Sequence, residues 1–262
     1  MSISMVGRWT VYRYHTVDST QRVAADLVSA GATDRTAVVA NRQTAGYGRK
    51  GDAWQDLPDA SLLVTLILKP SEASQMAHLA MVAALAVIDA IADVGVAQAG
   101  IKWPNDILIN ERKVGGILGD ATWRGDRLDA IRLGIGLNIG GTREAFTRRS
   151  LPDATSIIAE IGRDVERDTL LTSLLRGFTA RQSRLVRGGI DQTVDMWRRS
   201  LITIGQHVVV TLHDNRSIHG VAQEVTRNGN LVVAADDGTQ CEVASAETRS
   251  LRHLDRISRQ TL

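Results

Sequence analysis

The stretch Ile101-Lys102-Trp103-Pro104-Asn105-Asp106, running on through Asn110-Glu111-Arg112 to Lys113-Val114-Gly115-Gly116-Ile117, decides how this chain is read. Asp106 to Ile109 and Lys113 to Asp120 are apolar runs flanking a short polar turn, and that arrangement predicts a hairpin. Pro104 fixes its own φ and biases Trp103 away from helix, so 101–106 reads as a stiff turn at a strand edge. Asp106 can hold a carboxylate close to Lys102, and the return strand carries Lys113 back toward the same edge. Two adjacent glycines in a strand mark the close approach of a ligand or of another backbone. A surface salt bridge and a β-bulge are the plainer readings of the same residues.

Downstream, a turn at Arg124-Gly125-Asp126 leads into a strand over Leu128 to Ile139. This strand holds Gly134-Ile135-Gly136-Leu137-Asn138, whose asparagine can read an adenine edge. Helices are expected over 167–187 and 190–199. Past Gly205 come short strands, Val208 to Leu212, Ile218 to Val225, Leu231 to Ala235 and Gln240 to Val243. Asn228-Gly229 and Asp237-Gly238 are strong hairpin signals between them. Upstream, Trp9 to Tyr14 reads as a strand, and Asp18-Ser19-Thr20 caps a helix reaching about Ala30. Thr36 to Ala40 and Ser61 to Leu68 read as buried strands, with a Gly-rich loop over 42–60. Ser71 is placed to cap a helix over Glu72 to Val94, apolar nearly all round and so packed inside. The expectation is an α/β (α+β) chain: a mixed sheet flanked by helices over 1–203, a small β-barrel over 204–254, and a polar tail over 255–262.

Composition narrows the classes. With 262 residues, at roughly 150 per domain, one or two domains are expected. Hydrophobic residues at 44% and charged residues at 23% give enough apolar surface to exclude intrinsic disorder. The longest apolar stretch, Met76 to Val96, carries His78, Asp89 and Asp93, which argues against a membrane span. Met1 to Trp9 lacks a secretory pattern, and the lone Cys241 agrees with a reducing cytoplasm. A net charge of +2 is too balanced to announce nucleic acid. There are only four lysines, Lys50, Lys69, Lys102 and Lys113, against 27 arginines, and three of the four fall in the Gly-rich segments.

Gly46-Tyr47-Gly48-Arg49-Lys50-Gly51 spells a G-x-G-x-x-G dinucleotide pattern, but Asp52-Ala53-Trp54-Gln55-Asp56-Leu57-Pro58 does not open a helix, so that fold is set aside. The loop still suits an anion, because glycines admit backbone N–H groups to a phosphate and Arg49 and Lys50 bring charge; a solvated loop is the plain alternative. The six histidines show no metal-ligand spacing with Cys241, and no nucleophile elbow or P-loop is present.

Taken together, Asp18-Ser19-Thr20, Gln43-Thr44-Ala45-Gly46-Tyr47-Gly48-Arg49, Lys102-Trp103-Pro104-Asn105-Asp106, Arg112-Lys113-Val114-Gly115-Gly116-Ile117 and Gly134-Ile135-Gly136-Leu137-Asn138 resemble, in order and spacing, the biotin protein ligases. The similarity runs from about residue 12 to 250. It implies an SH3-like barrel after the mixed sheet, and a cytoplasmic enzyme that joins biotin to MgATP as biotinyl-5′-AMP and passes the acyl group to one lysine of a biotin carboxyl carrier protein. By position, Ser19, Thr20 and Gln43 would meet the ureido head, with Gln21, Tyr47, Gly48 and Gly116 also at the biotin site. Arg49 and Lys113 would meet carboxylate and phosphate, Lys102 would neutralise phosphate, and Trp54, Asn105 and Asn138 would serve the ATP site, Trp54 stacking on adenine. Asp106 is the candidate base for the acceptor lysine, no metal ligands are implied in the protein, and residues 46–53 are expected to order over the adenylate.

Two features depart from the family pattern. The loop commonly reads Gly-Arg-Gly-Arg, whereas Tyr47 stands at the first arginine and Asp52 at another basic position. Gln21 stands where asparagine is common. A helix-turn-helix repressor domain is not expected, because the catalytic pattern begins by residue 12, so no specific DNA binding is expected either; a homodimer is left open. The alternatives are a lipoate–protein ligase, related in fold and adenylate chemistry, and a non-catalytic biotin-binding module.

Overall fold

The computed structural model describes residues 1–55, 57 and 59–254. The expected tail at 255–262 lies outside the described residues. The chain opens with β1 (Ser2–Val6), which turns back through Gly7 (φ +59°) onto β2 (Trp9–Val17). β1 is not among the strands expected from the sequence: Ser2-Ile3-Ser4-Met5 alternates over only a few residues, and its apolar members Ile3 and Met5 are exposed rather than packed on the core. Helix α1 (Thr20–Ser29) crosses over to β3 (Thr36–Gln43), which lies parallel to β2. A parallel neighbour requires such a crossover, whereas the hairpins elsewhere do not.

β4 (Ser61–Leu68) is buried along its whole length. Helix α2 (Met76–Asp93) starts later than expected, because a 3₁₀ turn over Ala73–Gln75 intervenes. Gln75 takes the N-cap position without a side-chain cap bond, so Ser71 does not cap this helix; its hydroxyl instead accepts from Gln75 Nε2 at 3.4 Å. By length and composition α2 could cross a bilayer. Leu79, Val82, Ala86, Val87 and Ile91 are nevertheless buried inside the protein, as in a core helix. Next come β5 (Gly100–Lys102), β6 (Asp106–Ile109), β7 (Arg112–Arg124) and β8 (Arg127–Asn138). Asn110 and Glu111 both take positive φ, the geometry of a two-residue hairpin turn. Arg112 already belongs to β7, so the turn is one residue shorter than the sequence suggested.

The eight strands form one sheet in the order β1-β2-β3-β4-β8-β7-β6-β5, antiparallel except for β2 and β3. Two short helices, α3 (Arg143–Thr147) and α4 (Ile157–Ile161), precede α5 (Arg167–Val186) and α6 (Ile190–Arg199). The period of two in each strand divides the sheet cleanly. Leu62, Val64 and Leu66 of β4 and Ile131, Leu133, Ile135 and Leu137 of β8 face the main core shared with α2 and α5. Val38, Ile67 and Ala130 face α1, with Ala24 and Val28. Further along that second face β8 offers Arg132, Gly134 and Gly136, and there the apolar packing stops.

The C-terminal strands β9 (His207–Leu212), β10 (Ser217–Val225), β11 (Leu231–Ala235), β12 (Gln240–Val243) and β13 (Thr248–His253) form an antiparallel sheet in the order β12-β11-β10-β9-β13. Val208, Val210, Leu231, Val233 and Leu251 join the same core cluster as the large sheet. Trp103, 1% exposed, fixes the junction by donating Nε1–H to Gly229 O at 2.9 Å.

Candidate active site

A cleft of about 310 Å³ opens on the α1 face of the large sheet, a size within the small-molecule range. Its lining contains Ser19, Thr20, Gln21, Gln43, Tyr47, Gly48, Arg49, Trp54, Lys102, Asn105, Asp106, Lys113 and Gly116. These are all the residues singled out by sequence except Asn138. They come from four separate segments that the sheet order gathers: the start of α1, the end of β3 with the loop after it, the β5–β6 turn, and β7, with Gly134, Ile135 and Gly136 of β8 alongside.

One end is buried and polar. Ser19 caps α1, its hydroxyl accepting Gln21 N–H at 3.2 Å. Gln43 Oε1 accepts both Thr20 N–H (2.7 Å) and Thr20 Oγ1–H (3.0 Å), and Thr65 Oγ1–H bonds on to Thr20 Oγ1 at 3.0 Å. Two donors on one amide oxygen fix which way Gln43 points, leaving its NH2 group for another acceptor. Gln43 Nε2 lies against Gly46, where a Cβ would come within 2.5 Å, so this glycine is required by close approach.

The other end is cationic. Lys113 Nζ pairs with Asp106 Oδ1 at 2.6 Å and stands 5.9 Å from the centroid of Trp54. Sequence reasoning put the Asp106 carboxylate beside Lys102. The backbones of Lys102 and Asp106 do pair across β5 and β6, yet the side chain turns to β7, where Lys113 competes for it. Lys102 makes no ion pair among the described residues. It stands close enough to His253 of β13 to help burial push that imidazole's pKa down to about 4.

Residues 46–54 form a closed turn: Gly48 N–H bonds Asp52 O (2.7 Å), Trp54 N–H bonds Gly46 O (3.0 Å), and Arg49–Gly51 make a 3₁₀ turn. Arg49 points to the C-terminal sheet, donating to the carbonyls of Ser245 and Thr248, with a longer contact to Asn105 Oδ1 (3.4 Å). Burial lowers the pKa of its guanidinium from the ordinary value, with Asp106 acting against that shift. Asn105 is also structural, giving Nδ2–H to Ile117 O at 3.0 Å. Tyr47, the departure in the loop, places its ring 5.7 Å from the Arg22 guanidinium of α1.

Asn138 is the residue that the fold keeps out of the cleft. It is buried, its Nδ2–H is committed to Thr155 O (3.1 Å), and its Oδ1 has no hydrogen-bond partner. Trp54 Nε1 is buried without a partner too. The indole sits on the bare backbone of Gly136, where a Cβ would meet Cζ2 at 2.6 Å, and beside Gly116. Two further participants escaped sequence reasoning. Arg132 lies behind Gln21, and Arg249, Ser250 and Leu251 of β13 add a wall from the C-terminal sheet. Neither stands in a Gly-rich motif; only the period-two face of β8 could have pointed to Arg132.

Residues 14–138 match the biotin/lipoate A/B protein ligase family, and residues 203–247 match the biotin protein ligase C-terminal domain. The chain is 33% identical over 229 residues to a biotin–[acetyl-CoA-carboxylase] ligase of Paracoccus denitrificans, spanning 85% of this chain and 93% of that one. With a ligase of the same description from Mycobacterium tuberculosis the identity is 31% over 239 residues, spanning 88% and 85%. A biotin protein ligase from Aquifex aeolicus, solved in complex with biotin and ATP, superposes with a TM-score of 0.80 at 26% identity over 93% of this chain and 99% of that one. With this likeness in sequence and in fold, the chain belongs to the biotin protein ligase family.

Proposed function

We propose that this protein activates biotin with MgATP, entering as substrate, to biotinyl-5′-AMP and then transfers the biotinyl group to a lysine of a biotin carboxyl carrier protein. The observation that carries this reading is the polarity of one cleft: a buried amide-and-hydroxyl end at Ser19, Thr20, Gln21 and Gln43, and a cationic end at Lys102, Lys113 and Arg49. The first end suits an uncharged polar head group. The second suits a carboxylate meeting a phosphate, where positive charge must be in place before anion approaches anion.

In the first step a carboxylate oxygen of biotin bonds to the α-phosphorus as the α–β bridging P–O bond breaks and pyrophosphate leaves. Lys113 and Lys102 hold the reacting oxygens, and Arg49 would swing from the carbonyls of Ser245 and Thr248 to the nucleotide. Trp54, seated on Gly136 in the cleft wall, serves adenine, whereas Asn138 stays outside the cleft with its amide on Thr155. In the second step the acceptor lysine's amine attacks the acyl carbon, AMP leaves, and the proton passes to Asp106, released from Lys113 as phosphate takes that ammonium. A loop folded over the mixed anhydride keeps water from it. The acetyl-CoA-carboxylase named in the relatives' descriptions makes its carrier domain the expected acceptor. The lone Cys241 fits a reducing compartment, the cytoplasm.

The test is incubation of the full chain with biotin, MgATP and a biotin carboxyl carrier domain, probed with streptavidin. Labelling that falls on the order of 10²-fold or more in Lys113→Ala is expected. No labelling with biotin but acylation with lipoate would reassign the protein to the lipoate side of its family.

A further inference from the structure

Behind the buried polar end of the cleft lies a guanidinium that the proposed chemistry does not use. Arg132 stands on the α1 face of β8, two residues before Gly134, and its side chain is only 8% exposed. Each of its three nitrogens is engaged on one small patch. Nε–H bonds Thr122 Oγ1 at 2.9 Å, and Nη2–H pairs with Asp120 Oδ2 at 2.6 Å. Nη1–H bonds the backbone O of Gln21 at 2.6 Å and Gln21 Oε1 at 3.2 Å. Gln21 is itself buried, lines the cleft, and gives Nε2–H to Leu118 O at 3.2 Å.

This pattern dictates the orientation of one amide. A guanidinium has donors only, so the atom of Gln21 facing Arg132 must be the oxygen, and the Leu118 carbonyl requires the nitrogen on its own side. One N–H of Gln21 then remains for whatever fills the cleft. Gly134 makes room for it: a Cβ there would lie 2.8 Å from Gln21 Nε2. Resting on the ligase reading above, we propose that Arg132 is a positioning residue that fixes the amide of Gln21 and so sets the preference for a cyclic urea over an apolar dithiolane ring. An apolar ring would leave that N–H without an acceptor in a buried place, and such unpaired groups are what a polar site uses to reject an isostere.

The experiment is biotin- and lipoate-dependent ATP–pyrophosphate exchange by the full chain and by Arg132→Met and Gln21→Leu. In Arg132→Met the KM for biotin should rise about tenfold or more. Its kcat at saturating biotin and its KM for ATP should hold within about threefold, and the lead of biotin over lipoate should shrink. Gln21→Leu, which leaves Arg132 bonded to the Gln21 backbone and to Asp120, should reproduce the shift. Should Arg132→Met fail to fold, Arg132→Lys, which keeps the charge and loses the fork, carries the same test with a smaller shift. An unchanged KM for biotin, or kcat and both KM values moving together as a general loss of structure would move them, overturns the proposal. An active wild type with undisturbed variants sinks this inference alone, whereas a wild type with no biotin-dependent exchange sinks the ligase reading.

Discussion

Replacing Gly136 with alanine would place a methyl group 2.6 Å from Cζ2, 2.8 Å from Cε2 and 3.0 Å from Cη2 of Trp54. One partner must give way. β8 is hydrogen-bonded to β4 on one side and β7 on the other, so its backbone is held from both edges. Trp54 belongs to the loop after β3, so the ring moves. Overpacking of this kind costs about 1–3 kcal/mol, which is roughly 5- to 150-fold in the ratio of closed to open loop. Tryptic cleavage after Arg49 needs the open loop and follows its population when closing is fast. Gly136→Ala should therefore be cut about 5- to 150-fold faster than the wild type while keeping its fold, and its KM for ATP should rise. Gly116→Ala is the control: there a Cβ meets Asp106 Oδ1 at 3.5 Å and Trp54 Cζ3 at 3.6 Å, ordinary contact distances. Cleavage of the ligand-free loop in that variant should stay at the wild-type rate. Equal cleavage of Gly136→Ala and wild type would refute the seating of the indole on β8.

Three other outcomes are expected of the site and its junction. Asp106→Asn should form biotinyl-adenylate within a few-fold of the wild-type rate but transfer it on the order of 10²-fold more slowly, as single-turnover assays of the two steps would show. His253 is held neutral in the fold, with a pKa near 4 against 6.5 when free, so the unfolded chain takes up the proton first as pH falls. The stability it contributes is full above pH 6.5 and is lost progressively down to about pH 4. Discounted for its partial exposure, that loss is on the order of 1–2 kcal/mol, and urea titrations of His253→Asn should lack this part of the decline. Trp103→Phe leaves the Gly229 carbonyl without its donor at the junction of the two sheets, and urea melts should report a loss of about 1–3 kcal/mol.

What the sequence shows of this fold depends on which physical signal a segment carries. The β6–β7 and β7–β8 hairpins, α5 and the four strands from 207 to 243 are legible because alternation, helical period and turn chemistry agree there. β1 alternates over only five residues, β13 spends its alternation on a mixed wall of Arg249, Ser250 and Leu251, and α3 and α4 are too short to show a period. At the site, residue types in the Gly-rich segments pointed to Arg49, Lys102, Asp106 and Lys113, while Ser19, Thr20, Gln21, Gln43 and Trp54 came from the family resemblance. Side-chain direction was beyond reach: Asp106 chose Lys113 over Lys102 across a strand pair, and Asn138 turned to Thr155. Arg132 was invisible because nothing in a linear string ties it to Gln21, 111 positions away.

The central claim is that the cations of one cleft bring a carboxylic acid whose head fits the buried amides onto the α-phosphate of ATP. Exchange of labelled pyrophosphate into ATP reads that step alone, without the carrier protein. The exchange should depend on biotin, run far more slowly with lipoate, and nearly vanish in Lys113→Ala. Exchange that is absent with biotin, or undiminished in Lys113→Ala, would contradict the account.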